Sequence, residues 1–266
     1  MNTRLSSSCR IYVGTSGYAY TEWVESGFYP AGISAEEMLT HYTRRFALTE
    51  LTTTGYQLPR AETLARCCRR TPEHFRFAVR LIRSLTHEID FQRWPELVAR
   101  YRDGLAPLQQ YRRLAAVLLQ WPPSFDRTPT HRRYLASLLE ALDGLPLAVE
   151  FRHGSWATAS VRRELQRRQV ARVAADAPPL PELFPPLGAA ANPDFFCARF
   201  YGRNAAGWRS GKTSVQFDYD YGEAELAEWV EHRLVPLARS ARRGLLLFHN
   251  YVRAQAPRDA VRMMQL

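Results

Sequence analysis

Lysine is almost absent from this sequence. Lysine and arginine together number 36 in the 266 residues, and Lys212 is the only lysine. The formal net charge of +10 is therefore carried by arginine, whose guanidinium stays protonated and donates hydrogen bonds in a fixed fork. The arginines recur as pairs along the chain instead of forming one block, which favours solvated helix faces. A nucleic-acid footprint is the alternative interpretation of the same charge.

Cysteine is scarce and long apolar runs are missing. The four cysteines, Cys9, Cys67, Cys68 and Cys197, show no zinc-ligand spacing, so we interpret them as reduced thiols. No stretch approaches the ~20 apolar residues that cross a bilayer, and the first ten residues lack the apolar region of a signal peptide. We therefore expect a cytoplasmic protein with no membrane partner.

Motifs for cofactors and nucleophiles are also missing. The chain has no Walker motif, glycine-rich phosphate loop or nucleophile elbow, and GTSG at 14–17 is too short to count as one. We expect no cofactor and no metal. One alternative stays open, because His87, His153 and His249 fall just beyond predicted strand ends, where a barrel can collect ligands from separate strands.

Short apolar runs alternate with helical patterns over the whole sequence. This alternation predicts an α/β fold, a single TIM (β/α)8 barrel with long βα loops, occupying residues 1–266 as one domain. The eight predicted strands are 10–14, 47–53, 75–80, 114–120, 146–152, 170–176, 195–201 and 244–250.

Two helices and three loops stand out between the strands. Ser34 and Glu37 form a capping box that begins a predicted helix at 34–46, and a second amphipathic helix is predicted at about 222–240. Long loops are predicted after strands one, six and seven, at 16–33, 177–193 and 202–221. Loops of this length in a compact fold are often lids or binding loops.

The segment Leu147–Trp156, LAVEFRHGSW, is where burial gives way to charge. In strand alternation Ala148, Glu150 and Arg152 share one face, and Leu147, Val149 and Phe151 share the other. Polar groups at the carboxyl ends of barrel strands line the mouth where such folds bind ligands. The pattern therefore predicts a strand whose end lines a pocket.

The same alternation places polar side chains at most of the other strand ends. We expect these groups to converge at one mouth: Glu50, Thr52, Arg80, Gln120, Glu150, Arg152, Asp176, Arg199, Tyr201 and Asn250. Burying them is costly unless each is paired or hydrated. A purely structural alternative is that Glu50, Glu150 and Asp176 neutralise Arg80, Arg152 and Arg199 in an ion-pair network.

Aromatic residues are frequent in the predicted loops around this mouth. They suggest a rim that stacks on a ligand, although ordinary loop packing explains any single one of them. The residues are Tyr18, Tyr20, Trp23, Phe28, Tyr29, Tyr56, Trp156, Trp208, Tyr219 and Tyr221.

At these same residues the chain resembles the domain of unknown function 72 family, also called YecE-like, over nearly its full length. The resemblance implies a TIM barrel with its site at the mouth. It is carried by VGTSGYAYTEW with FYP, TEL with GYQLP, TPEHFRFAVR with LTH, LLQWPPSF, AVEFRHGSW, ARFYGR with Trp208, DYDY and FHN.

The chain departs from this family pattern at five positions. The family usually has asparagine at Thr52, phenylalanine at Gly55, lysine at Arg80, histidine at Tyr201 and asparagine at His249. Arg80 keeps a positive charge but does not donate its proton at neutral pH, and Tyr201 is a weaker base than histidine. A member with these changes is expected to have altered family chemistry.

The residues favour a hydrolase-like enzyme that acts on a phosphate or phosphodiester anion. Glu50 and Glu150 are the candidate acid and base, and the remaining candidates bind the substrate. Two alternatives stay open: a non-catalytic nucleic-acid or nucleotide-binding module, and a carbohydrate site with paired carboxylates. The substrate-binding candidates are Trp23, Tyr56, Arg80, His87, Gln120, Arg152, Trp156, Asp176, Arg199, Tyr201, Trp208 and Asn250.

Overall fold

Parallel strands alternate with helices along the chain, as the sequence predicts. The computed structural model describes residues 9–181, 183–184 and 192–266. Within these residues the strands are β1 (Arg10–Ser16), β2 (Leu48–Leu51), β3 (Arg76–Arg80), β4 (Leu114–Gln120), β5 (Leu147–Glu150), β6 (Ala171–Arg172), β7 (Ala174–Asp176), β8 (Phe196–Phe200) and β9 (Arg243–Phe248).

The strands form one sheet that closes through a divided strand. Their order is β6-β5-β4-β3-β2-β1-β9-β8-β7, and every pairing is parallel. The predicted sixth strand is split into β6 and β7, whose halves pair with β5 on one side and β8 on the other. Because both halves belong to one continuous segment, the sheet is a TIM-like barrel with eight strand positions, and the predicted fold is confirmed.

Helices follow the strands and pack around them. They are α1 (Glu22–Glu25), α2 (Ala35–Tyr42), α3 (Ala61–Arg69), α4 (Trp94–Gln110), α5 (Pro129–Ala141), α6 (Ala159–Arg167), α7 (Thr213–Gln216), α8 (Glu223–Trp229), α9 (Val235–Ala238) and α10 (Gln255–Gln265). None of the described helices has both the length and the apolar character needed to cross a bilayer.

Both predicted helices are present, but their first or last residues differ from those predicted. Ser34 and Glu37 form the predicted capping box, but α2 ends at Tyr42, four residues before the predicted end. The helix predicted at 222–240 is interrupted by a π-helical turn, Val230–Leu234, between α8 and α9. Pro236 follows this turn and has no N–H to donate to the carbonyl of residue 232, which accounts for the break.

The long predicted loops are largely as expected. Those at 16–33 and 202–221 carry only the short helices α1 and α7. In the 177–193 segment, the described residues 177–181, 183–184 and 192–193 form neither helix nor strand, and 182 and 185–191 lie outside the described residues.

Strand alternation separates the core into two layers. The barrel interior is packed with small and apolar residues, among them Leu48, Ala78, Ala148, Cys197 and Leu247. The alternate residues of the same strands, together with the helices, form the larger outer layer. The predicted faces of β5 are confirmed, because Ala148 points into the barrel while Leu147, Val149 and Phe151 belong to the outer layer.

Gly14 allows β1 and β2 to approach closely. A Cβ atom on Gly14 would lie 1.8 Å from the carbonyl oxygen of Leu48. The same carbonyl accepts a hydrogen bond from the Tyr42 hydroxyl at 2.9 Å, and that hydroxyl also accepts from the Thr15 N–H at 2.8 Å. The glycine of the GTSG segment therefore has a packing role in joining α2 to two strands.

We expect Gly14→Ala to destabilise the barrel by about 3 kcal/mol or more, because backbone atoms must move to admit the new methyl group. Gly154→Ala is the matched control, since a Cβ at Gly154 meets no atom within 4 Å. Urea unfolding of both variants tests this. Equal midpoints for the two would show that β1 and β2 separate without cost.

Candidate functional site

Arg199 lies at the centre of the barrel mouth and joins the two candidate catalytic carboxylates. Its side chain is 0% exposed. Nη2 donates to Oε2 of Glu50 at 2.7 Å, and Nη1 donates to Oε2 of Glu150 at 2.8 Å. Gln120 is a more distant partner, with its Oε1 3.4 Å from Nη1. One guanidinium thus bridges acids from β2 and β5, on opposite sides of its own strand.

Glu50 is saturated with hydrogen-bond donors. Both Nε and Nη2 of Arg80 donate to its Oε1, at 3.0 and 2.8 Å. Its Oε2 accepts from the Ser16 hydroxyl at 2.6 Å in addition to Arg199. Glu50 is buried, whereas the side chain of Arg80 is 14% exposed. Arg80 therefore links the buried acid to the opening of the barrel.

Glu150 has a similar environment on the other side of Arg199. Nε of Arg152 donates to its Oε1 at 2.8 Å, and the Tyr201 hydroxyl lies 2.8 and 2.9 Å from the two carboxylate oxygens. The Arg152 guanidinium covers the Tyr201 ring with 4.5 Å between Cζ and centroid, and Trp208 lies at 6.0 Å. Arg152, like Arg80, is 14% exposed. The mouth therefore has two partly exposed arginines, Arg80 and Arg152, above the fully buried Arg199.

Both carboxylates are held ionised. Burial alone would raise the pKa of Glu50, but the charges of Arg199 and Arg80 outweigh it and the pKa is lowered. For Glu150, burial is again opposed by Arg152 and Arg199, and the pKa is lowered. Neither group is therefore a proton donor at neutral pH, and the same lowering of the pKa makes each a weak base while its arginine partners are in place.

Two histidines at the mouth are neutral. Burial and the charges of Arg83 and Arg80 lower the pKa of His87 to about 4. Burial and the charges of Arg199 and Arg80 lower that of His249 well below its usual value. His87 Nδ1 is 2.8 Å from the Thr86 hydroxyl. Nδ1 of His249 is buried without a hydrogen-bond partner among the described residues. Burial is the larger cause of both pKa shifts, and the positive charges of the arginines add to it.

The expected convergence is wrong for Asp176 and Asn250. Asp176 accepts from Nε of Arg203 at 3.1 Å, and Asn250 donates through Nδ2 to Asp259 of α10 at 2.6 Å. Both therefore face the helices. In β9 the inward residues are Leu245 and Leu247, so the next inward position is His249 and not Asn250. Likewise Val173 is inward in the divided sixth strand, which places Asp176 on the outer face.

The expected aromatic rim is wrong for Trp23 and Trp156. Trp23 is 0% exposed, and its indole N–H donates to the carbonyl of Tyr251 at 2.7 Å. Trp156 is 3% exposed and stacks on Phe151 with 4.7 Å between ring centroids. Both tryptophans are core residues with no surface for a ligand. Tyr56, in contrast, is 65% exposed beside the mouth.

Ser16 and His249 were not among the sequence candidates for substrate binding or catalysis. The predicted first strand ended at residue 14, but β1 continues to Ser16, whose hydroxyl binds Glu50. In β1, Ser16 is the next inward residue when the alternation is continued past the predicted end of the strand. In β9, shifting the predicted alternation by one residue makes His249 inward in place of Asn250. Thr52, also expected at the mouth, begins a 3-10 turn, Thr52–Gly55, directly after β2.

Gly55 provides the space for Arg80. A Cβ at Gly55 would lie 2.6 Å from Cδ of Arg80. The Thr54 hydroxyl fixes the same strand end, since it accepts from the Arg80 N–H at 2.8 Å. Gly55 and Arg80, two positions at which the resemblance predicts other residues, therefore lie against each other, and a larger residue at 55 would displace the arginine.

Histidine, cysteine and acidic side chains do not form a metal-binding group at the mouth. In the part of the chain that the structure describes, no three or more of them are placed to hold a metal ion together. The acids that a metal would need are taken up by arginines, Glu50 by Arg80 and Arg199, and Glu150 by Arg152 and Arg199.

The fold and site together define a parallel α/β barrel with a buried arginine–carboxylate network at the carboxyl ends of its strands. The chain belongs to the family described as "Protein of unknown function DUF72", whose sequence profile matches residues 12–266. No activity comes with that description.

Individual relatives support the assignment. The UPF0759 protein YunF of Bacillus subtilis (strain 168) is 27% identical over 270 aligned positions, covering 96% of this chain and 94% of that protein. The UPF0759 protein YecE of Escherichia coli (strain K12) is 30% identical over 179 positions, 64% of this chain and 60% of that protein.

Solved structures show the same barrel. The crystal structure of a DUF72 family protein from Thermotoga maritima MSB8 superimposes with a TM-score of 0.86 at 30% identity, covering 96% of this chain and 98% of that one. A DUF72 family protein from Enterococcus faecalis V583 gives a TM-score of 0.84 at 24% identity, over 96% of this chain and 94% of that one.

We expect Arg199→Met to destabilise the protein by about 3–5 kcal/mol, because two buried carboxylates lose their shared partner. Arg83→Met is the control, since Arg83 is 43% exposed and pairs with the exposed Glu88; it should cost less than about 1 kcal/mol. Chemical denaturation measures both. A loss for Arg199→Met no larger than that of the control would show that Glu50 and Glu150 are stable without it.

Asp259 gives the fold a pH dependence near neutrality. It is 0% exposed and accepts from the Tyr221 N–H at 3.2 Å, from Asn250, and from Nη1 of Arg262 at 2.9 Å. Burial, with a further contribution from Asp220, raises the pKa of Asp259 to about 7. A raised pKa in the folded state stabilises the protein at low pH, and this stability is lost as the pH rises through the folded-state value.

We therefore expect the free energy of unfolding of the wild-type protein to fall, relative to that of Asp259→Asn, as the pH rises from about 4 to about 7. Asp259→Asn, which imitates the protonated acid, should lose this part of the slope, while Asp143→Asn, at an exposed position, should keep it. Urea titrations across this pH range give the slopes. Parallel curves for wild type and Asp259→Asn would refute the assignment.

Proposed function

We propose that this protein is a hydrolase-like enzyme that binds a phosphate-bearing anion at the carboxyl-terminal mouth of the barrel. Arg80 and Arg152 are the groups that contact the anion. Glu50 and Glu150 orient these arginines, and either accepts a proton from an attacking water once its arginine partner turns to the substrate phosphate and frees a carboxylate oxygen.

The charge balance of the mouth is the observation that carries this proposal. Three guanidinium groups, of Arg80, Arg152 and Arg199, face two carboxylates, of Glu50 and Glu150. The third expected acid, Asp176, is paired with Arg203 instead. One positive charge is thus left over, and Arg80 and Arg152, each 14% exposed, are the members of the network that an anion from solvent meets first. Phosphate matches the forked geometry of guanidinium groups.

Arg199 has a different role from the one expected from the sequence. It is fully buried and its two terminal nitrogens already donate to Glu50 and Glu150. A substrate would have to displace a carboxylate to reach it. Arg199 therefore fixes the spacing of the two acids, and through them the positions of Arg80 and Arg152.

The carbohydrate alternative fits less well. A pair of catalytic carboxylates on a glycoside includes one acid with a raised pKa, whereas the pKa values of Glu50 and Glu150 are both lowered. A general nucleic-acid surface also fits less well, because exposed arginines such as Arg69, Arg132 and Arg163 are spread over α3, α5 and α6 around the barrel.

The test is binding of inorganic phosphate by calorimetry and hydrolysis of 4-nitrophenyl phosphate and bis(4-nitrophenyl) phosphate by absorbance. We expect Arg80→Gln to weaken phosphate binding by about tenfold or more, the value of a lost charge-assisted hydrogen bond. Arg70→Gln, at an exposed position where the arginine pairs with Glu36, should bind as wild type does.

Melting temperatures separate a binding defect from unfolding, since Glu50 keeps Ser16 and Arg199 as partners in Arg80→Gln. Phosphate binding of equal strength in wild type and a folded Arg80→Gln would remove Arg80 from the site. Binding without turnover of either ester would make the protein a binding module and not a hydrolase.

A further inference from the structure

A cavity of about 720 Å³ opens beside the arginine–carboxylate network. Glu150 and Arg152 are among its lining residues, so the cavity borders the site at the mouth. Its volume is within the usual range for pockets that hold small molecules. From Arg152 it extends along the outer face of β7, where Ala174, Ala175 and Asp176 line it.

The cavity lies on a side of the barrel where the described residues after β7 form no covering helix. In a (β/α)8 barrel a helix follows each strand and packs on its outer face. The described residues after β7, 177–181 and 183–184, form no helix. On the far side the cavity is bounded by α8, the π-helical turn and α9, through Trp229, Arg233 and Leu237. The cavity therefore lies between β7 on one side and α8, the π-helical turn and α9 on the other.

The walls of the cavity are mainly apolar, and its charged groups are largely paired. Pro178, Leu180, Phe184 and Leu237 contribute apolar surface. Asp176 binds Arg203 at 3.1 Å, and Arg203 is also 3.7 Å from Glu228. The Arg152 end, in contrast, belongs to the network with one positive charge left over. The cavity thus offers an apolar surface next to a cationic one.

We propose that this cavity holds the apolar part of the substrate, so that the substrate is a phosphate ester of an aromatic or aliphatic group. The phosphate contacts Arg152 and Arg80, and the ester group lies between β7 and α9. This inference rests on the proposed function and specifies the substrate class of the same site. A phosphodiester with two highly polar substituents would leave the apolar wall without a partner.

The experiment compares inorganic phosphate with phenyl phosphate by calorimetry. Burial of the phenyl ring should make phenyl phosphate bind at least about tenfold more tightly. Ala174→Leu adds bulk inside the cavity and should remove this advantage without changing the affinity for inorganic phosphate. Ala136→Leu is the matched control, because Ala136 is equally half-buried but lines a separate groove of about 510 Å³ between α5 and α6. It should behave as wild type.

The outcomes distinguish this inference from the proposed function. If inorganic phosphate binds and phenyl phosphate binds no better, the cavity is not part of the substrate site, while the anion site stands. If Ala174→Leu and Ala136→Leu weaken phenyl phosphate equally, the ring does not enter the cavity. If neither probe binds to wild type, the proposed function fails and this inference fails with it.

Discussion

The bridging of two buried carboxylates by Arg199 is the interaction on which the rest of the site depends. A buried charge is tolerated only when its partners and hydrogen bonds compensate for lost hydration. Glu50 and Glu150 meet this condition through one shared guanidinium, at 2.7 and 2.8 Å. Each then holds a second arginine at the edge of the opening. Arg199, which solvent does not reach, thus fixes the positions of Arg80 and Arg152 through the two glutamates.

This arrangement separates a structural layer from a layer that faces ligands. Beneath the network the barrel is filled by apolar side chains such as Leu48, Ala148 and Cys197. Above it lie two partly open arginines and the neutral His87 and His249. The charge of Arg80, which is proposed to contact a phosphate, contributes to lowering the pKa values of both histidines. Stability and recognition thus rely on the same ion pairs.

The barrel wall differs between the two sides of the site. The sixth strand is divided into β6 and β7, and the described residues that follow it form no helix. On that side the network borders a large cavity, whereas α3, α4 and α5 pack around β2, β3 and β4 on the other. The departures Gly55 and Arg80 lie on the tightly packed side, where the missing side chain of Gly55 admits the longer arginine.

The sequence by itself determined the barrel, the parity of β5 and the charged cluster of Glu50, Arg80, Glu150, Arg152 and Arg199, because alternation and strand ends are local properties of a chain. It did not determine on which face Asp176 and Asn250 lie, since a one-residue shift in a strand reverses every side chain. Nor did it separate the buried Trp23 and Trp156 from the exposed Tyr56, because burial depends on which helices and loops meet. Only the tertiary structure decided that Arg199 closes the centre of the site and that a cavity opens beside Arg152, because both follow from contacts between residues far apart in sequence.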